Sequence, residues 1–402
     1  MGMTAHSETL ADVGSTLRAR SDEFRDAVQQ RLYQDVLPAR QVFPISLRHT
    51  HLELAAAVAW VLERTPRTGA VPLEVLDRLR ELGRDHRRLG FPADIYPAFA
   101  TALRHGFATL NVPLADAAGR AMDTVCSVMA AAAREADEAG IAPAFSAEVL
   151  GVQRRTRRIS VVRLEAGLPV DYRAGQHLPV TTSYLPGVWR MLSPALPSND
   201  FGQLEFHVRA LDAADGSGTS DISQLLATPK PGDYWTFGAA RGTLHLSGER
   251  DVLMIAHGTG LAPLRAMLFD MLDWEHRPRV HLFVSAEYPG ELYDLMGLWN
   301  LAIVSSWLSV VPVVEHEEDT WWVGATESSR APRGLHLQVA GQVGDVVASY
   351  GAWADRDVLI VGDAAGVRAS EAALIAGGTP PEHIQTEAWE ATNDWPPLQH
   401  GK

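Results

Sequence analysis

From Ala11 to Gly140 the apolar residues recur at helical spacing, with few strand-like alternations. Val28, Leu32 and Val36, then Leu52, Ala56, Ala59 and Val61, form apolar stripes; Pro38 and Pro44 interrupt them, because proline lacks the amide hydrogen a helix needs. A helical block of this length is compatible with a globin or a bundle. Past Ala142-Pro143-Ala144 the alternation moves to every second residue. Ile159-Ser160-Val161-Val162, Val170-Asp171-Tyr172, His177-Leu178-Pro179-Val180 and Leu204-Glu205-Phe206-His207-Val208 predict short strands, with turns at Arg173-Ala174-Gly175 and Pro186-Gly187. Closed by Pro231-Gly232-Asp233, this is the pattern of an antiparallel barrel. After Gly248-Glu249-Arg250 come continuous apolar runs, beginning with Asp251-Val252-Leu253-Met254-Ile255-Ala256, that read as buried parallel strands. Arg279–Val284, Leu308–Val313 and Asp357–Val361 repeat the theme, so a doubly wound α/β sheet is expected. The fold class is therefore multidomain: an all-α domain over 1–143, an antiparallel β-barrel over 147–249 and a doubly wound α/β domain over 250–402.

A chain of 402 residues suits two or three domains. Its formal net charge of -14 argues against nucleic acid or an anionic membrane as a main partner, since neutralising phosphates takes clustered Lys and Arg. The local basic run Arg154-Arg155-Thr156-Arg157-Arg158 reads as one exposed face of a strand and its turn. Cys126 is the one cysteine, so no intrachain disulfide forms, which suits a reducing cytosol. No leader pattern opens the sequence and no run approaches the roughly 18 apolar residues a membrane span requires. The expectation is a soluble, cytoplasmic monomer or homodimer.

Candidate chemistry concentrates first at Leu82-Gly83-Arg84-Asp85-His86-Arg87-Arg88-Leu89-Gly90-Phe91-Pro92. Leu79 and Leu82 put His86 at the end of a helix's apolar stripe, and Leu89-Gly90 ends that helix because glycine accepts the left-handed cap. A second helix starts near Pro92-Ala93-Asp94 with Tyr96, Phe99, Leu103 and Phe107 on its apolar face. His86 and Tyr96 then meet across one corner. A metal-ligating histidine needs such an outer partner to orient its second nitrogen.

This segment resembles the proximal corner of the globin domain of bacterial flavohemoglobins. The resemblance implies that His86 ligates the iron of haem b, supported by Tyr96 and by Glu135 in Ala133-Arg134-Glu135-Ala136. It implies that Phe43 lies against the haem face, and that Gln29 stands where the family carries a distal tyrosine, holding bound oxygen less firmly. For the next distal position Thr50, His51 and Glu53 all compete.

Ala256-His257-Gly258-Thr259-Gly260-Leu261-Ala262-Pro263 follows a strand and opens a helix, where bare backbone and the helix amino end suit a pyrophosphate. It is similar to the nicotinamide-binding motif of the ferredoxin-NADP reductase superfamily, with His257 in place of a usual glycine, and it implies that Gly258, Thr259, Gly260 and Pro263 bind NADH or NADPH. Tyr172–His177 and Arg190-Met191-Leu192-Ser193-Pro194 resemble that superfamily's flavin motifs. They imply FAD contacts at His177, Arg190, Leu192 and Ser193, with Leu192 standing in for a stacking tyrosine. Ser223, in Gly218-Thr219-Ser220-Asp221-Ile222-Ser223, either contacts a phosphate or caps the helix. Glu287 would repel a 2'-phosphate, which favours NADH. Val361 replaces a cysteine beside the nicotinamide, and Gln385–Trp389 resembles the closing segment near the flavin. The domain order implies an NAD(P)H-dependent nitric oxide dioxygenase that passes electrons through FAD to haem, with O2 and nitric oxide as substrates. The alternatives are a haem oxidoreductase with another acceptor, a haem sensor or partner-binding protein with a degenerate reductase half, and a haemless helical domain fused to a working reductase.

Overall fold

Thr9 opens the first helix with a capping box, its hydroxyl accepting from the Asp12 amide while Asp12 takes the Thr9 amide at 2.7 Å. The computed structural model describes residues 9–36, 53–185, 188–211, 221–324, 326–335, 338–339, 341–389, 395 and 397. Phe43, Thr50, His51 and Gly218-Thr219-Ser220 lie outside the described residues. The chain divides into two compact units, Met1–Ala144 with Thr392–Lys402, and Phe145–Ala391.

The first unit is all-α among the described residues: α1 (Leu10–Ala19), α2 (Ser21–Asp35), α3 (Leu54–Glu63), α4 (Leu73–His86), α5 (Tyr96–Thr109) and α6 (Ala115–Glu138). Two glycines let these helices approach closely. A Cβ on Gly83 would stand 2.6 Å from the Met129 carbonyl oxygen, so α4 presses on α6 one turn before His86. A Cβ on Gly106 would stand 2.7 Å from the Phe24 ring, which stacks on Phe107 with centroids 5.5 Å apart. Trp395 packs edge-on against Trp60 at 5.5 Å in the same unit. Trp395, within the span 250–402 expected to form the third domain, thus belongs to the helical core.

In the second unit, β1 (Phe145–Arg154), β2 (Ile159–Ala166), β3 (Leu178–Thr182), β4 (Arg190–Leu192), β5 (Gln203–Arg209) and β6 (Tyr234–Phe237) form an antiparallel sheet in the order β4-β3-β6-β1-β2-β5. Its two edges meet where Pro194 bridges Phe206, curling it into a barrel. Val170 and Tyr172 are buried as the alternation predicts, but they form no strand: the Ser198 hydroxyl binds the Val170 carbonyl at 2.5 Å and the Tyr172 phenol binds that of Leu196 at 2.9 Å. Short helix α7 (Asp221–Ala227) follows β5.

The second sheet is parallel throughout. β7 (Asp251–His257), β8 (Val280–Ala286), β9 (Leu308–Val314), β10 (Gln338–Val339), β11 (Arg356–Asp363) and β12 (Ile384–Trp389) run in the order β10-β9-β8-β7-β11-β12. Helices α8 (Leu261–Asp270), α9 (Leu295–Val304), α10 (Val343–Ser349) and α11 (Ala364–Ala376) connect the strands. Strand order reverses between β7 and β11, which opens a crevice at their carboxyl ends. Among the described residues no helix is long and apolar enough to cross a membrane.

Candidate active site

The crevice is built by a turn and a strand end that share one space. Gly258–Gly260 makes a single 3-10 turn after β7, Gly258 at φ 53, and α8 begins at Leu261 with Pro263 in its first turn. A Cβ on Gly260 would lie 2.1 Å from the Val361 carbonyl oxygen. The turn therefore rests on β11 with nothing between, its amide groups at the amino end of α8, where an anion is stabilised.

A recess of about 200 Å³ lies there, lined by His257 and Gly258, by Ser285 and Glu287 after β8, by Glu315 after β9 and by Asp363 at the end of β11. Glu291 also lines it, against one cation, Arg209, so the recess is acidic. Burial, then the neighbouring Glu287, raise the Glu291 pKa, while Arg209 draws it down. His257 ends β7 beside the turn. Its ring bonds Ser370 at 3.0 Å and Ser285 at 3.2 Å, and a Cβ on Gly366 would lie 2.5 Å from its Nδ1. Burial lowers the imidazole pKa despite nearby Asp363, which keeps the ring neutral at pH 7.

On the barrel, β3 pairs with β4 at Leu178–Leu192, Pro179–Met191 and Val180–Arg190, and His177, just before β3, bridges Arg241 through two backbone bonds of 2.8 Å. Ser193 is buried, and its hydroxyl finds no partner among the described residues. Leu192 is half-buried, and exposed Arg190 donates to the Trp189 carbonyl at 2.9 Å. His177 Nδ1 lies 2.7 Å from Glu387 on β12. Sequence reasoning passed over Glu387 as a partner, because 210 residues separate the pair and only the closing-segment motif pointed to its neighbourhood. Ser223 lies inside α7, where its hydroxyl accepts from the Leu211 amide at 2.9 Å and reaches the Leu211 carbonyl at 3.3 Å, tying both ends of the connection from β5 to α7.

In the helical unit His86 ends α4, Gly90 takes the left-handed cap at φ 76, and Tyr96 opens α5. The two rings lie nearly parallel, with Nδ1 3.2 Å from the phenol oxygen. Burial, then Cys126 and Asp85, hold the phenol pKa well above its ordinary value, so it remains protonated. Burial pushes the Cys126 thiol up to about 12. Glu135 does not join the pair: it is 66 % exposed and stands 3.8 Å from Arg84. The acid beside Tyr96 is Asp85, buried and bonded to Arg88 at 2.7 Å. Gln29 is buried on α2, and its amide nitrogen finds no acceptor among the described residues.

Residues 151–246 match the oxidoreductase FAD-binding domain family. The chain is 27% identical over 152 residues to phenol hydroxylase P5 protein of Acinetobacter pittii, covering 37% of this chain and 41% of that one. It is 28% identical over 198 residues to the NAD(P)H-flavin reductase of Aliivibrio fischeri, covering 48% and 76%. It spans less than half the length of the first two curated relatives it matches. The solved structure of a flavohemoglobin from Malassezia yamatoensis, with bound FAD and heme, is similar in fold over 95% of this chain and 99% of that one, with a TM-score of 0.62 at 16% identity. The matched FAD-binding domain family thus falls on the antiparallel barrel, and the parallel sheet with its switch-point turn follows it in the same unit.

Proposed function

We propose that this chain is a flavohaemoprotein with nitric oxide dioxygenase activity, in which the second unit takes hydride from NADH into FAD and electrons continue to a haem b held by His86. The observation that carries this reading is the His86–Tyr96 pair in an all-helical unit on the same chain as a switch-point nucleotide site. The fold likeness to a flavohemoglobin over nearly the whole chain supports it, and with it a globin reading of residues 1–143.

The residues present fit the three groups. Ser193 offers a buried hydroxyl with no partner among the described residues, as a residue at the flavin's reactive edge requires; Leu192 would cover the ring, and His177 flank it. Arg190 suits the diphosphate through its planar fork. Gly258, Thr259 and Gly260 give the coenzyme bare backbone and Pro263 fixes the helix start, while Glu287 and Glu315 oppose a phosphorylated ribose, which favours NADH. In the helical unit, when Nε2 of His86 binds a metal its proton sits on Nδ1 and is given to the Tyr96 oxygen. The Gln29 amide, without an acceptor among the described residues, would be free to donate to a small ligand, and by the resemblance Phe43 is proposed against the haem face. When bound, flavin and haem supply the redox chemistry; the chain holds, orients and shields them.

Purified holoprotein given NADH, O2 and nitric oxide should convert nitric oxide to nitrate, as read by chromatography. Glu135 standing apart from His86 and Tyr96 favours a second reading, a reductase serving another acceptor. NADH oxidation with ferricyanide but no nitrate would decide for that alternative.

A further inference from the structure

A cluster of buried charge joins barrel and nucleotide sheet within the second unit, and none of it is used by the reading above. Glu205 and His207, both on β5, are 4% and 5% exposed; Tyr293 and Asp294, just before α9, are 2% and 6% exposed. Their hub is Arg265, on α8, one turn past the glycine turn. Its Nη1 donates to Glu205 Oε1 at 2.9 Å, and its Nε lies 3.1 Å from Asp294. His207 lies between Glu205, at 3.3 Å, and the Tyr293 phenol, at 2.7 Å. Burial alone would raise the Glu205 pKa, but the His207 hydrogen bond and the Arg265 charge hold it down to about 2. The Glu205 carboxylate stays charged here because His207 and the Arg265 guanidinium offset the cost of burying it.

The same Nη1 donates to the Ala195 carbonyl at 2.9 Å. Ala195 follows Ser193-Pro194, and its own amide donates to the Glu205 carbonyl at 2.7 Å. Both backbone groups of this peptide are therefore fixed, one by the barrel strand and one by the helix that starts at the nucleotide turn. Nη1 holds Ala195 and Glu205 while Nε of the same rigid guanidinium stands against Asp294 as an ion pair, a fixed spread of positive charge that the single point charge of a lysine ammonium does not reproduce.

We propose that Arg265 is a positioning residue that sets the flavin-edge peptide carrying Ser193 against the helix launched from the nucleotide turn, and so fixes the approach of nicotinamide to flavin. The inference rests on the proposed hydride transfer in the second unit. Misplacing reacting groups by ~1 Å costs on the order of 100-fold in rate.

The test uses the full-length holoprotein, with Arg265→Lys, Asp294→Asn, and Arg163→Gln as a control that removes another Glu205 partner, bonded at 2.8 Å, without touching Ala195. Anaerobic stopped-flow reads NADH affinity, the NADH–flavin charge-transfer absorbance and the flavin reduction rate; FAD content is measured alongside. Arg265→Lys should keep its FAD and bind NADH within about twofold of wild type, yet reduce flavin roughly 100-fold more slowly with a weakened charge-transfer band. Asp294→Asn should move the same two readouts by about tenfold, and Arg163→Gln neither. Reduction at the wild-type rate in both Arg265→Lys and Asp294→Asn, or a rate that falls only in proportion to lost FAD, overturns the proposal. Wild-type flavin that NADH leaves oxidised overturns the underlying reading and this inference with it.

Discussion

Gly260→Ala should abolish reduction of the flavin by NADH at concentrations that saturate the wild type. The added Cβ would sit 2.1 Å from the Val361 carbonyl oxygen, 2.5 Å from its carbon and 2.8 Å from the Gly362 Cα. These are backbone atoms of a strand paired on both sides, so no side chain can swing away to make room. The turn or the end of β11 must move instead, and both form the crevice. Overpacking of this kind costs about 1–3 kcal/mol in stability, and displaced amide groups should cost NADH affinity on the order of 100-fold. FAD should remain bound, because the barrel residues proposed to hold it lie on other elements. Gly258→Ala is the informative contrast. Its φ of 53 imposes backbone strain of about 1–2 kcal/mol, but the nearest atom to its Cβ is Arg209 Nη1 at 3.6 Å. A titration of flavin bleaching against NADH should show Gly258→Ala impaired and Gly260→Ala silent.

The second large effect is expected at the helical corner. His86→Ala should remove the nitrogen proposed to hold haem iron, read as loss of the wild-type Soret band position after haem is supplied. Tyr96 would lose its partner at 3.2 Å and be left with a buried phenol, so some loss of thermal stability accompanies it. Tyr96→Phe separates the two roles. It keeps the ring and the packing against Phe91, whose centroid lies 4.8 Å away, and removes only the oxygen facing Nδ1. Haem should stay bound in Tyr96→Phe, with iron affinity lowered about 10–100-fold, the range for outer partners of ligating histidines. Glu135→Gln should change neither measurement, since that carboxylate faces solvent and Arg84.

The parts of this architecture that were legible in the sequence are those written in short spacings. The change from helical to alternating to continuous apolar runs foretold the helical unit, the barrel and the parallel sheet, and the glycine turn stood out because it follows a strand and opens a helix. The corner from Leu89-Gly90 to Tyr96 was equally local. What stayed hidden depends on distance. Nothing near Arg265 announces that it holds Ala195 and Glu205, the latter 60 residues away, and Glu205 and His207 look like the wet face of a strand whose two faces are both covered. Val170-Asp171-Tyr172 misled because alternating burial is shared by strands and by extended chain whose carbonyls bond side chains. Glu135 misled for another reason. Its position on α6 was carried over by resemblance, whereas its own neighbour, Arg84, decides where the carboxylate goes.

The most direct test is an anaerobic titration of the purified full-length protein, loaded with FAD and haem, by NADH under an absorption spectrometer. Flavin bands should bleach and the Soret band should shift to its ferrous position in the same titration, while His86→Ala bleaches its flavin without that shift. A wild-type protein whose flavin is fully reduced while its iron stays ferric would contradict the account of one electron path through both units.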